Sequence, residues 1–138
     1  MRFNPELNPQ KRRSPTPRPD YAVLRNKNLV AILDAKYRDL WERRLPRDML
    51  YQLVVYAVSN NHLGEASILY PTLNALATEA QIEVNDPVHG RPIGAVNLRP
   101  INLNQLERMI SNESESGSIE RRELARKLAF GMSSKVLK

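Results

Sequence analysis

The stretch Pro19-Asp20-Tyr21-Ala22-Val23-Leu24-Arg25-Asn26-Lys27-Asn28-Leu29-Val30-Ala31-Ile32-Leu33-Asp34-Ala35-Lys36-Tyr37 decides how the chain is read. Tyr21 to Arg25 and Leu29 to Tyr37 are apolar-rich runs, and Asn26-Lys27-Asn28 between them is turn chemistry. The pattern predicts a β-hairpin. With Lys27 at the centre of the turn, Asp20 falls opposite Asp34. Side chains alternate along a strand, so Lys36 shares the face of Asp34. Two carboxylates and an ammonium are therefore expected on one patch, a place for a divalent metal ion and a polarised water.

Downstream, Asp39 to Pro46 is a charged connection containing Trp41, and Pro46 introduces a helix from Arg47 to about Asn60. Leu50, Leu53, Val54, Ala57 and Val58 recur at helical spacing as its buried stripe, while Asp48, Gln52, Tyr56 and Ser59 form a polar one. The Asn60-Asn61-His62-Leu63-Gly64 cluster is expected to end it. Glu65 to Tyr70 reads as a strand stopped by Pro71. Ala80 to Asn85 and Pro92 to Arg99, joined by Asp86-Pro87-Val88-His89-Gly90, read as a second hairpin. Asn104 and Glu107 have capping-box spacing for a helix over Gln105 to Ile110. A Ser/Glu-rich break from Ser111 to Ser118 precedes a last helix, Ile119 to Met132. Strands and helices in this order predict an α/β layered domain.

Upstream, residues 1–19 hold five of the ten prolines and the basic run Lys11-Arg12-Arg13, with Arg18 beyond it. Proline at this density opposes helix, so a basic leader is expected, either solvated or laid along phosphates. The core is assigned to residues 20–103 and the terminal helices to residues 104–138. A chain of 138 residues suits one domain with a modest core. The absence of cysteine excludes disulfides and thiolate metal sites and fits a cytoplasmic protein. No apolar run reaches the length of a membrane span. A formal charge of +6 favours a polyanionic partner.

The chemistry of the trio favours a cation. Opposed aspartates repel when both are ionised unless a cation lies between them. Oxygen donors without His or Cys select Mg²⁺ or Mn²⁺ over Zn²⁺. Lys36 would orient or activate the attacking water, or offset negative charge. The plainer alternative is a turn aspartate beside a cross-face ion pair. Against it, Leu29-Val30-Ala31-Ile32-Leu33 looks buried on both faces, and ionised groups leaving such a strand are costly without partners. Gln52 and Tyr56, four apart on one helix, are able to face the same edge. His62 and His89 lack any partner pattern and read as surface or loop residues. Arg121, Arg122, Arg126 and Lys127 form a solvated helix face.

Arg18-Pro19-Asp20-Tyr21, Leu33-Asp34-Ala35-Lys36-Tyr37, Tyr51-Gln52-Leu53-Val54-Val55-Tyr56-Ala57 and Ile68-Leu69-Tyr70-Pro71 occur in one order with compact spacing. Together they resemble the nuclease domain of McrC, the cleavage subunit of a 5-methylcytosine-specific restriction system within the PD-(D/E)xK superfamily. The resemblance covers residues 18–71 closely and the later strands more vaguely.

That resemblance implies a restriction-endonuclease-like core: a mixed central sheet flanked by helices. It implies Asp20, Asp34 and the Ala35 carbonyl as ligands of Mg²⁺ or Mn²⁺, with Lys36 as the catalytic lysine. Gln52 and, less directly, Tyr56 would support the site or contact the DNA backbone; Lys11, Arg12, Arg13 and Arg18 of the leader are expected nucleic-acid contacts from their charge, apart from the resemblance. The implied reaction is hydrolysis of DNA phosphodiesters beside an AAA+ GTPase partner of McrB type. Relatives carry a helix and a first strand ahead of the Pro-Asp motif. The chain is therefore expected to be an amino-terminally incomplete piece, with an exposed sheet edge open to homodimerisation. The alternative is a catalytically incomplete DNA-binding or subunit-interaction fragment.

Overall fold

The computed structural model describes residues 2–59 and 64–131. Five strands and three α-helices follow one short 3₁₀ turn, Pro5–Leu7, in the leader. They are β1 (Tyr21–Arg25), β2 (Asn28–Ala35), α1 (Arg47–Ser59), β3 (Glu65–Thr72), β4 (Ala80–Asn85), β5 (Pro92–Asn102), α2 (Leu103–Ser111) and α3 (Glu115–Phe130). The strands form one mixed sheet in the order β1-β2-β3-β5-β4. Its two edges are antiparallel hairpins, β1 with β2 and β4 with β5, while β2, β3 and β5 run parallel at the centre. Parallel neighbours need a crossover, and α1 supplies the one from β2 to β3. The chain is thus a mixed α/β domain with a central five-stranded sheet flanked by helices. No helix among the described residues is long and apolar enough to cross a membrane.

The core lies between α1 and one face of the sheet. Leu53, Tyr56 and Ala57 from α1 meet Ile32, Ala66, Ile68, Tyr70 and Val96. These strand residues share one parity, as a two-residue period requires. Tyr56 therefore departs from the expected polar stripe: it is 4 % exposed, whereas Val58, expected inside, is 40 % exposed. The opposite face is more polar. Ser67 and Asn97 are buried there, and Gln81 Nε2 donates to Asn97 Oδ1 at 2.7 Å. Arg99 is buried beside them. It donates to Glu79 Oε1 at 3.2 Å and to the carbonyl of Leu128 at 2.8 Å, tying α3 to the sheet.

Two strands run through prolines: β3 through Pro71, which was expected to stop it, and β5 through Pro100, just past its expected end. Pro71 pairs with Ile101 and Pro100 with Tyr70. The last β3 residue paired with β2 is Leu69 and the last β5 residue paired with β4 is Leu98, so each proline sits where one neighbouring strand has gone. A missing N–H costs little there. The second helix begins earlier than expected. Asn102, not Asn104, caps it by accepting from the Gln105 N–H at 3.1 Å. The third helix starts inside the Ser/Glu-rich stretch, where Ser114 accepts from the Gly117 N–H. Gly117 is needed at that point, because a Cβ would lie 2.4 Å from the Asn112 carbonyl oxygen. Arg121, expected on a solvated face, instead donates to the carbonyls of Met109 and Asn112 at the end of α2. The last helix ends at Phe130 with Gly131 as its cap, short of the expected Met132, and the expected terminator of α1 at Asn60–Leu63, including His62, lies outside the described residues.

Candidate functional site

The first hairpin makes the site through two departures from the expected turn. Asn26 and Lys27 alone form it, with φ of 51° and 67°, so it is a two-residue turn in the left-handed region rather than a three-residue one. Such turns match the twist of the flanking strands. The pairing then runs Arg25 with Asn28 and Leu24 with Leu29, and shifts by one so that Val23 faces Ala31. Val30 is the extra residue of a bulge. One residue lost from the turn and one gained in the strand cancel, so Tyr21 faces Leu33 and Asp20 arrives opposite Asp34.

Asp20 and Asp34 are laced together. The Asp20 backbone N–H donates to Asp34 Oδ1 at 3.2 Å, and the Ala35 N–H donates to Asp20 Oδ2 at 2.8 Å. Asp34 is 2 % exposed at the end of a four-residue buried run, Ala31 to Asp34, whereas Asp20 lies at the surface. A buried carboxylate needs compensation. Lys36 supplies part of it, its Nζ standing 2.8 Å from Asp34 Oδ2. That oxygen nevertheless receives no well-directed hydrogen bond, the one buried side-chain atom so placed among the described residues. The close contact with Asp34 raises the Lys36 pKa, against an opposing effect of burial and with smaller contributions from the charge of Asp20 and Tyr56. Lys36 is an ammonium at neutral pH.

Gln52 and Tyr56 stand one helical turn apart. Gln52 Nε2 donates to the Tyr56 hydroxyl at 2.8 Å, with the Tyr56 ring in the core and Gln52 exposed. Ala35 is exposed at the end of β2, and its N–H is committed to Asp20. Lys11, Arg12, Arg13 and Arg18 are all exposed in the leader.

An open groove is lined by Asp20, Lys36, Tyr37, Arg38, Asp39 and Arg43 among others, while buried Asp34 is outside that lining. Lys11, Arg12, Arg13 and Arg18 are outside that lining. Asp39 was not singled out from the sequence. Its Oδ1 accepts the Trp41 N–H at 2.9 Å and its Oδ2 accepts the hydroxyl of buried Thr72 at 2.9 Å, fixing the connection after β2 to the end of β3. An aspartate two residues before Trp41 carries the usual Asx-turn signal, but nothing local announces Thr72.

Chemically, the patch offers hard oxygen donors, one of them buried and under-satisfied, beside a permanent positive charge. Among the described residues no group of three or more His, Asp or Glu side chains converges, so two carboxylates are the side-chain donor set. Mg²⁺ characteristically takes one or two carboxylates and fills its shell with water and substrate phosphate oxygens. The residues present fit that pattern, with Asp34 Oδ2 as the oxygen most in need of a cation. No protein-family model, no curated protein and no solved structure matches the chain.

Proposed function

We propose that the chain is a metal-dependent DNA endonuclease domain with a restriction-endonuclease-like core, of the McrC type. The observation that carries this reading is the meeting of Asp20 and buried Asp34 at a hairpin register, with Lys36 at 2.8 Å from an Asp34 oxygen that no other group satisfies. Asp20, Asp34 and the Ala35 carbonyl are the groups that would hold Mg²⁺ or Mn²⁺. When bound, the ion supplies an acidified water and neutralises charge developing on the scissile phosphate.

This chain's own residues do the rest. Lys36, beside the carboxylate pair, would orient the attacking water or offset negative charge on a phosphate oxygen. On α1, Gln52 holds the Tyr56 hydroxyl in place. Arg38 and Arg43 on the groove would take the flanking phosphates. An AAA+ GTPase subunit of McrB type and a second copy of the chain are the partners that belong with this reading.

Plasmid incubated with the purified chain and Mg²⁺ or Mn²⁺ should be nicked. Asp34→Ala and Lys36→Ala should each abolish nicking while the fold survives. Full activity in both variants would overturn the assignment. The count of only two carboxylates favours one second reading, a DNA-binding or subunit-interaction fragment without catalysis. It predicts salt-dependent DNA binding with no cleavage under any metal.

A further inference from the structure

Two exposed tyrosines each follow a member of the Asp20, Asp34 and Lys36 trio by one residue: Tyr21 after Asp20 and Tyr37 after Lys36. Both line the groove. Tyr37 is 103 % exposed and Tyr21 57 % exposed, so neither ring has a structural task comparable with that of Tyr56 or Tyr70, which are buried. A single exposed aromatic is ordinary. Two on one groove, with Lys36, Arg38 and Arg43 on the same walls, make a different combination. Cations that track a backbone, interleaved with bare aromatic faces, are the two components of single-strand binding: charge holds the phosphates and rings stack on the bases.

A duplex does not use this combination well. Its bases are stacked on one another, leaving phosphates, sugars and groove edges to a surface side chain. A ring as exposed as Tyr37 gains burial from nucleic acid chiefly when an unpaired base lies on it. We infer that the substrate of this site is single-stranded DNA, or a locally unpaired strand, whose bases stack on Tyr37 and Tyr21 while a phosphate faces Asp20 and Lys36. The inference rests on the DNA-cleavage reading for its choice of polymer and goes further in naming the strand state.

The comparison that isolates stacking from charge uses a fluorescent oligothymidine and an all-abasic oligomer of equal length, titrated with the full chain in EDTA. The two probes carry the same phosphates. Wild type should bind the thymidine probe about tenfold more tightly, the size expected when one or two stacked bases are lost. Tyr37→Ala should remove most of that difference and Tyr37→Phe should keep it. The same thymidine probe should bind more tightly than its duplex with oligoadenosine, although charge alone favours the duplex.

Equal affinity of wild type for the two single-stranded probes would overturn the inference. So would a preference for the duplex, or a base-dependent affinity that Tyr37→Ala and Tyr21→Ala leave intact. Because no metal is present, these outcomes are separate from nicking. Plasmid cleavage without base-dependent binding removes the single-strand assignment alone. Base-dependent binding without Mg²⁺- or Mn²⁺-dependent cleavage of either plasmid or the single-stranded thymidine probe removes the nuclease reading alone.

Discussion

The Lys36 ammonium stands 2.8 Å from Oδ2 of Asp34, an oxygen sealed within the sheet with no other donor directed at it. Removing either partner is therefore unequal to removing both. Lys36→Met leaves a buried carboxylate uncompensated and should cost about 2 kcal/mol, moderated because Lys36 itself is partly exposed. Asp34→Asn with Lys36→Met removes the charge along with its partner and should recover most of that loss. Urea midpoints for the two single variants and the double one give the coupling directly. Strict additivity of the two substitutions would show that the pair does not act as a unit.

The same oxygen predicts how stability responds to metal. Ligands that bind only the folded state raise stability by mass action, about 2.7 kcal/mol at a hundredfold excess over the dissociation constant. Mn²⁺ should raise the Tm of wild type, and Asp34→Ala should abolish the shift. Lys36→Met should bind Mn²⁺ more tightly than wild type, since the ammonium no longer competes for Oδ2. Calorimetric titration of the three proteins checks the order. Equal affinities would remove Asp34 from the ligand set.

Alkaline stability follows from two groups. Pairing with Asp34 raises the Lys36 pKa, so that contribution is complete below the ordinary lysine value and fades as pH climbs through the folded one. Burial, and then the charge of Asp39, raise the pKa of Tyr70. Its phenol keeps its proton in the folded chain after the unfolded chain has released it, so stability again falls above about pH 10. The expected profile is level from neutrality to that point and descends beyond it. Tyr70→Phe should make the descent shallower in urea titrations taken at stepped pH. An identical alkaline limb in that variant would show that Tyr70 is not a source of it.

Much of this arrangement is legible in residue order, because the signals involved are local. Alternating apolar runs around Asn26 announce the first hairpin, Pro46 announces α1, and Asp86 to Gly90 announces the second hairpin. Other features depend on neighbours distant in sequence. Whether Pro71 and Pro100 end a strand depends on which side of that strand is still paired. The placement of β5 between β3 and β4 has no local signature either. Ser114 caps a helix whose first turn is as polar as a loop, so the break before α3 looks longer than it is. Tyr56 was misplaced for another reason: its ring joins the core while its hydroxyl reaches Gln52, and a polar or apolar label hides that division.

The alignment of Asp20 with Asp34 depends on a compensation that mutation can separate. Lys27 holds φ of 67°, a region that favours glycine, so Lys27→Gly should stabilise the hairpin by about 0.5–1 kcal/mol without moving either aspartate. Deleting Val30 acts differently. It removes the bulge residue, and an unbroken ladder from the two-residue turn then places Asp20 one position away from Asp34. A slip of one residue also turns side chains to the opposite face. The deletion should therefore abolish the Mn²⁺-dependent rise in Tm and the nicking of plasmid. Lengthening the turn by one glycine after Lys27 in the same variant should restore both, because turn and bulge contribute equally to the register. If the Val30 deletion alone kept full metal response, the register would not be what brings the two carboxylates together.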